Sequence, residues 1–272
     1  RSNPHPIFYV LIGPASSGKS SVRTNIHEFR DTMDYAINLD VDEIKLYGND
    51  TLGEAVNKKG NPTKAIEGIQ FKYNEVLAKL REPVFQAAME HGAGHYKNII
   101  LDSTGSMKAL IKKYMTQAKR NGYTVKVIIV HSSEELCMER VMSRNERLRS
   151  TGHETRIIPA PVIKGIYKTF VDKRIARYYS THPAIVSKTD ELYCIDNNGE
   201  RPVILAHRTA DGRINVSRES ELLNRPRAFY GLTIAADKAG TPSISGGKSR
   251  HQYTKRMNKK TMRRRRHRTQ RY

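Results

Sequence analysis

The chain of 272 residues is long enough for one sizeable core plus an appendage, and no stretch approaches the ~20 consecutive apolar residues of a membrane-spanning helix. Its hydrophobic content is only 38%, and 48 Lys+Arg against 27 Asp+Glu give a formal net charge of +21. Two cysteines, Cys137 and Cys194, fit neither a metal-ligand spacing nor a disulfide framework, which argues against a cysteine-stapled secreted module and suits a reducing compartment.

The chain opens at Arg1 rather than Met, so the numbering is expected to begin inside a longer product. No apolar signal segment precedes the first strand, and an intracellular protein, cytoplasmic or nuclear, is expected. Ile7 to Ile12 is an apolar, β-branched and aromatic run that reads as a buried strand. Directly after it, Gly13-Pro14-Ala15-Ser16-Ser17-Gly18-Lys19-Ser20 completes the pattern G-x-x-x-x-G-K-[ST]. Ser21 to Phe29 follows with Val22, Ile26 and Phe29 at helical spacing. A loop between a strand and a helix start is the context in which this pattern has a mechanism. Backbone N–H groups from Gly13 to Ser21 and the positive end of the helix face one anion. Lys19 is expected to reach the β- and γ-phosphates and the Ser20 hydroxyl to ligate Mg²⁺, so the segment implies a bound nucleoside triphosphate.

Tyr35 to Leu39 predicts a short strand that ends in Asp40-Val41-Asp42. Phosphoryl transfer to a hydroxyl needs a carboxylate beside the γ-phosphate to take the proton, and strand tips in this topology overlie the ligand crevice. Asp42 is the expected base, with Asp40 on the Mg²⁺ shell or fixing Asp42 and Ser20. A plain helix-capping role stays open for either acid. Residues 48–63, with Gly53, Gly60 and Asn61-Pro62, read as a loop. From Lys64 to His91, Ile66, Ile69, Tyr73, Val76, Leu77, Leu80, Val84, Phe85 and Met89 recur at helical spacing, with a break or kink at Pro83.

Asn98 to Asp102 predicts a buried strand ending in an acid. Asp102 is expected in the metal shell, and Ser103 and Thr104 on substrate or phosphate, against the alternative of an ordinary strand-end turn. Ser106 to Arg120 predicts a helix, Thr124 to Val130 a parallel-type strand, and Ser133 to Leu148 a helix capped by Ser133. Arg140, Arg144, Arg147, Arg149 and Arg156 then span a helix end and a polar segment, as in a mobile lid. Arg144 and Arg156 are the expected clamps on the transferring phosphoryl group. Val162 to Tyr179 reads as helix, and Leu192 to Ile195 and Val203 to Ala206 as strands around the turn Asp196-Asn197-Asn198-Gly199.

This alternation predicts an α/β, three-layer fold with a mostly parallel sheet, helices on both faces, and a disordered basic C-terminal tail. The expected division is 1–230 as the folded domain and 231–272 as linker and tail. Thr241 to Tyr272 carries 12 Lys+Arg and no acid, leaving +9 for the rest of the chain. Arg263, Arg264, Arg265 and Arg266 centre a polycation suited to non-specific, salt-sensitive nucleic-acid binding. A nuclear address or contact with anionic membrane stays open.

Taken together these residues resemble the zeta-toxin-like family of P-loop kinases, related to the polynucleotide 5′-kinases, over about Ile7 to Arg208. Gly13 to Ser20 is similar to the family's phosphate loop, Leu39 to Lys45 to its acid-x-acid segment, and Leu101 to Gly105 to its third-strand motif. Thr155 to Pro159 resembles its lid-arginine segment. Ile44 and Lys45 depart from the usual aromatic-Arg pair, and one ammonium cannot make the bidentate contact of a guanidinium. The resemblance implies ATP with Mg²⁺, Asp42 as base and, in the best-known members, a UDP-activated amino sugar as acceptor; Lys45 would lie on the acceptor side. The expected function is an ATP-dependent phosphotransferase acting on a hydroxyl of a small-molecule acceptor. Two alternatives stay open: a polynucleotide 5′-hydroxyl kinase, and a nucleotide-binding nucleic-acid interaction protein without catalysis.

Overall fold

Ile7–Ile12 forms β1, and its alternating side chains bury both faces of a sheet, since Phe8 through Ile12 are all at most 1% exposed. A strand so apolar on both sides needs helices above and below it. The computed structural model describes residues 5–39, 83–90, 97–151 and 158–216, and the backbone of 235–236 and 242–243.

On one face, Tyr9 and Leu11 meet Val22, Phe29 and Met33 from α1 (Lys19–Asn25) and α2 (His27–Met33). The single helix expected across Ser21 to Phe29 is two. Ile26 between them is extended (φ −96°, ψ 116°), and the Arg30 Nε donates to the Thr24 carbonyl at 3.1 Å, closing the end of α1. The break keeps Ile26 in the core beside Phe29, which meets Tyr193 edge-to-face at 4.9 Å; tertiary packing overrides local propensity here.

On the other face, Phe8 meets Phe85 edge-to-face at 6.0 Å. Phe85 belongs to α3, described over 83–90; the rest of the helix expected from 64 lies outside the described residues. The strand β2 is Ile37–Leu39, β3 is Ile99–Ser103, and α4 is Lys108–Arg120, whose Tyr114 stacks on Phe85 at 3.5 Å and 17°. The strand β4 is Thr124–His131 and α5 is Glu134–Ser150, where the Ser133 hydroxyl accepts from the Leu136 N–H at 3.2 Å as expected of an N-cap.

The helix expected over Val162 to Tyr179 divides into α6 (Ala160–Asp172) and α7 (Ile175–Thr181), followed by a short α8 (Pro183–Val186). Arg174 at the break is left-handed, φ 47°, a conformation that costs about 1–2 kcal/mol. What offsets it is Tyr179, whose hydroxyl donates to the Gly105 carbonyl at 3.0 Å and ties α7 to the loop after β3.

β5 is Glu191–Asp196, β6 Val203–Arg208 and β7 Ile214–Val216. The sheet order is β2-β3-β1-β4-β5-β6-β7, parallel from β2 through β5 and antiparallel for the last two strands. The chain therefore crosses from β1 outward to β2, returns through β3, and then passes to β4 on the far side of β1. A ligand crevice opens over the carboxyl ends of strands at such a reversal.

The chain divides into two units, Arg1–Leu232 and Thr233–Tyr272. The second contains an antiparallel pair, β8 (Ala235–Ala236) with β9 (Pro242–Ser243), so the stretch read as plain linker carries a short ladder.

Candidate active site

The loop after β1 is held open by its neighbours. Its Gly13 N–H donates to the Ser103 carbonyl at 3.2 Å, carrying the β1–β3 ladder one residue past the strand. A Cβ on Gly13 would lie 2.6 Å from Ser17 Oγ and 2.8 Å from the Val130 carbonyl. Gly18 has φ +84°, and a Cβ there would overlap the Asn197 amide. Both glycines of the pattern are therefore required by space, and Gly18 by backbone angle as well.

Ser17 is buried, and its carbonyl is the anchor of the loop. It accepts from Asn197 Nδ2 at 2.8 Å and from Arg140 Nη1 at 3.2 Å, and the Ser132 hydroxyl lies 3.1 Å away. Arg140 also donates to Ser132 Oγ at 2.9 Å and to the Asn197 carbonyl at 2.9 Å. No side chain caps α1, so its first-turn N–H groups stay available to an anion. Ser132, Arg140 and Asn197 were not among the site residues expected from sequence. Asn197 stood in a recognised turn and Arg140 in the arginine helix, but nothing local signals that they converge with Ser132 on the residue before Gly18.

Lys19 folds over the loop mouth: its Nζ donates to the carbonyls of Gly13 (3.1 Å) and Pro14 (3.0 Å) and stands 3.5 Å from Asp102 Oδ1. Asp102, opposite Leu11 in the ladder, is therefore at the phosphate end. Ser103 and Thr104 follow it, with Ser103 Oγ accepting from the Gly105 N–H at 3.1 Å. A cavity of about 320 Å³ has Ser16, Lys19, Ser20, Asp102, Thr104 and Arg144 in its lining. Arg144 stands one turn beyond Arg140 on α5. Beside it, Asn145 is buried and holds the returning chain, donating from Nδ2 to the Ile158 carbonyl at 2.8 Å.

Of the residues expected to act, Gly13 to Ser21, Asp102, Ser103, Thr104 and Arg144 are brought together around one loop and cavity. Asp40, Asp42, Lys45, Arg156 and Arg263 to Arg266 lie outside the described residues. The hydroxyl of Ser20 and the carboxylate of Asp102 are hard oxygen donors facing the same cavity, a donor set that fits Mg²⁺.

Behind the loop, His131 Nδ1 lies 3.3 Å from Asp196 Oδ1, and Asn198 Nδ2 donates to the same oxygen at 2.5 Å. Burial opposes ionisation of Asp196, but these partners hold its carboxyl below the usual range. The two cysteines are free and buried, and burial pushes the Cys137 thiol up to about 11, so neither carries nucleophilic chemistry.

A phosphate loop at the tip of the central strand, an acid at the tip of the adjacent strand and an arginine-bearing helix over both define the P-loop kinase-type fold. The chain belongs to the Zeta toxin family, whose model matches residues 1–200. Among solved structures it is similar to AvrRxo1-ORF1 in complex with AvrRxo1-ORF2, crystallised with sulphate ions (TM-score 0.52, 17% identity, 86% of this chain and 67% of that one). The same complex solved with ATP gives TM-score 0.52 at 17% identity over 86% of this chain and 66% of that one. It is also similar to the PezAT chromosomal toxin-antitoxin system of Streptococcus pneumoniae (TM-score 0.52, 13% identity, 88% of this chain and 83% of that one). The chain thus spans about two thirds of the length of the AvrRxo1 chains it matches. No curated protein matches it by sequence. Among the described residues no helix is long and apolar enough to cross a membrane.

Proposed function

We propose that this protein moves the γ-phosphoryl group of ATP to a hydroxyl of a small-molecule acceptor. The observation that carries the reading is the convergence of Lys19, Ser20, Asp102 and Arg144 on one cavity. The family supports it, and so does the fold neighbour solved with ATP.

The loop amides hold the β- and γ-phosphates, and Lys19 exchanges its two carbonyl partners for phosphate oxygens. Ser20 and Asp102, with Asp40 assisting, would hold Mg²⁺, which when bound neutralises charge across the β- and γ-oxygens. Asp42, three residues after β2 in the sequence, takes the proton of the acceptor hydroxyl as its oxygen bonds to the γ-phosphorus and the bond to the ADP oxygen breaks. Arg144 and Arg156 bear on the equatorial oxygens, where charge is spread in the transition state. Ser103, Thr104 and Lys45 position the acceptor. We place this activity in residues 1–230, with 231–272 as an appendage whose Arg263 to Arg266 bind nucleic acid or serve as a nuclear address.

The test is transfer of γ-³²P from ATP to two pools, small metabolites with UDP-sugars in one and 5′-hydroxyl oligonucleotides in the other. Label in the first pool, lost in Asp42→Ala with ATP still bound, is expected. Label in the second would favour the polynucleotide kinase for which the acid-free basic tail speaks. An Asp42→Ala protein of unchanged activity would remove the base assignment.

A further inference from the structure

Arg140 differs from Lys19, its neighbour at the loop, in what it binds. Its guanidinium donates to the Ser17 carbonyl at 3.2 Å, the Ser132 hydroxyl at 2.9 Å and the Asn197 carbonyl at 2.9 Å. All three acceptors are neutral, and among the described residues no carboxylate lies within ion-pair distance of it. Lys19, by contrast, stands 3.5 Å from Asp102 Oδ1. A half-buried charge solvated by dipoles alone is costly to hold, and an arriving anion relieves that cost.

The fork is fixed to the strand tips. Ser132 and Asn197 are buried, and the Asn197 N–H donates to the His131 carbonyl at 2.8 Å, continuing the β4–β5 ladder. The Ser133 N–H donates to Asn198 Oδ1 at 2.7 Å beside them. A planar guanidinium bound through both Nη atoms to such a frame cannot swing away without breaking several bonds. It also lies close to the loop, since a Cβ on Gly18 would be 3.2 Å from Nη1. Yet Arg140 is not in the lining of the cavity that Lys19, Ser20 and Arg144 share, so its charge reaches a ligand there through the Ser17–Gly18 peptide rather than by contact. The Cys137 thiol, three residues earlier on α5, senses the same field: burial raises it, and the charges opposing that rise are Arg140 and Lys19.

We propose that Arg140 is a fixed cation of the phosphate site, which acts on the polyphosphate through the loop and makes binding depend on how many phosphates the ligand carries. The inference rests on the nucleotide-binding part of the kinase reading and assigns a residue that favours triphosphate over monophosphate. Coulomb attraction from a fixed, half-buried charge is screened less than at the surface, and it grows from AMP to ADP to ATP as each phosphate adds charge.

The test is binding rather than turnover, on the full chain: Kd for ATP, ADP and AMP by isothermal titration at two KCl concentrations, for wild type, Arg140→Gln and Arg140→Lys. Arg140→Gln is expected to weaken ATP at least tenfold and AMP less than threefold, and to flatten the salt dependence of the ATP Kd. Arg140→Lys keeps the charge without the fork and is expected to hold the preference for ATP over AMP within threefold of wild type. An arginine that only supports the fold would weaken all three nucleotides by one common factor and leave the salt slope alone; that result overturns the proposal. So does an ATP Kd within twofold of wild type in Arg140→Gln. Should Arg140→Gln show no folding transition on melting, Arg140→Lys decides: a folded Lys variant that keeps the preference supports the fixed cation, and one that loses it overturns the proposal. Inorganic tripolyphosphate against orthophosphate separates this from the wider reading. If wild type binds tripolyphosphate but no ATP, and Arg140→Gln weakens tripolyphosphate at least tenfold, the nucleotide reading falls and the fixed cation stands. Binding of neither overturns both, whereas ATP that binds without turnover counts against the kinase reading alone.

Discussion

The Ser17 carbonyl shows how a phosphate loop is shaped by groups that never touch phosphate. Three side chains from three separate segments converge on it, and each is buried or half-buried, so removal leaves polar groups without partners. Asn197→Ala should cost about 1–3 kcal/mol of stability, read by thermal or urea unfolding, and should also weaken ATP binding as the loop relaxes. A protein that loses stability but keeps its ATP affinity would show that the clamp serves folding alone. Lys19→Ala separates the other way. Lys19 leaves only loop carbonyls and Asp102 behind, so folding should survive while transfer falls about 10²–10³-fold, the usual cost of one transition-state donor.

Among the secondary-structure elements, the junction of the parallel strands with the antiparallel β6 is where pH enters. Glu191 on β5 accepts from Tyr193 Oη at 2.6 Å, lies 3.1 Å from His207 Nε2 on β6, and pairs with Lys126 on β4 at 2.9 Å. Burial works against its charge, yet these partners together hold its carboxyl below the ordinary value, as the His131 and Asn198 partners do for Asp196. A carboxyl depressed in the folded state binds its proton more tightly when unfolded. Its stabilisation is present above the ordinary value and is lost as pH falls through the depressed one. Melting temperature should therefore drop on acidification between about pH 5 and pH 3, and Glu191→Gln should flatten that dependence. An unchanged acid limb in the variant would assign the loss to other carboxyls. On α5, Ser133→Ala should cost about 1 kcal/mol, because the Leu136 N–H loses its acceptor.

For the chain as a unit, charge and catalysis are separable. The stretch Thr241 to Tyr272 contributes +12 of the +21, and every residue expected to act on phosphate lies before it. Deleting it should leave phosphoryl transfer to small acceptors unchanged. Binding to a DNA or RNA duplex should weaken and lose most of its dependence on salt, which scales with the phosphates neutralised. Titrations at two salt concentrations with both proteins decide this; equal salt slopes would place the polyanion site in the folded body.

Much of this architecture is written in local pattern. The run Ile7 to Ile12, the glycines at 13 and 18 with Lys19, and the strand ending at Asp102 are one-dimensional signals, because burial on both faces and a left-handed turn each demand particular residues in a row. Contacts between distant segments leave no such trace. Ile26 and Arg174 break helices whose spacing runs on unbroken, since what stops them is the position of Phe29 under the sheet and of Tyr179 against Gly105. The antiparallel edge of β6 and β7, the meeting of Ser132, Arg140 and Asn197 on Ser17, and the stacking of Phe85 on Tyr114 are likewise products of packing. The spacing of residues along the chain dictated the phosphate loop and the alternation of strands and helices. Which side chains close around that loop depended on distances that exist only once the sheet has formed.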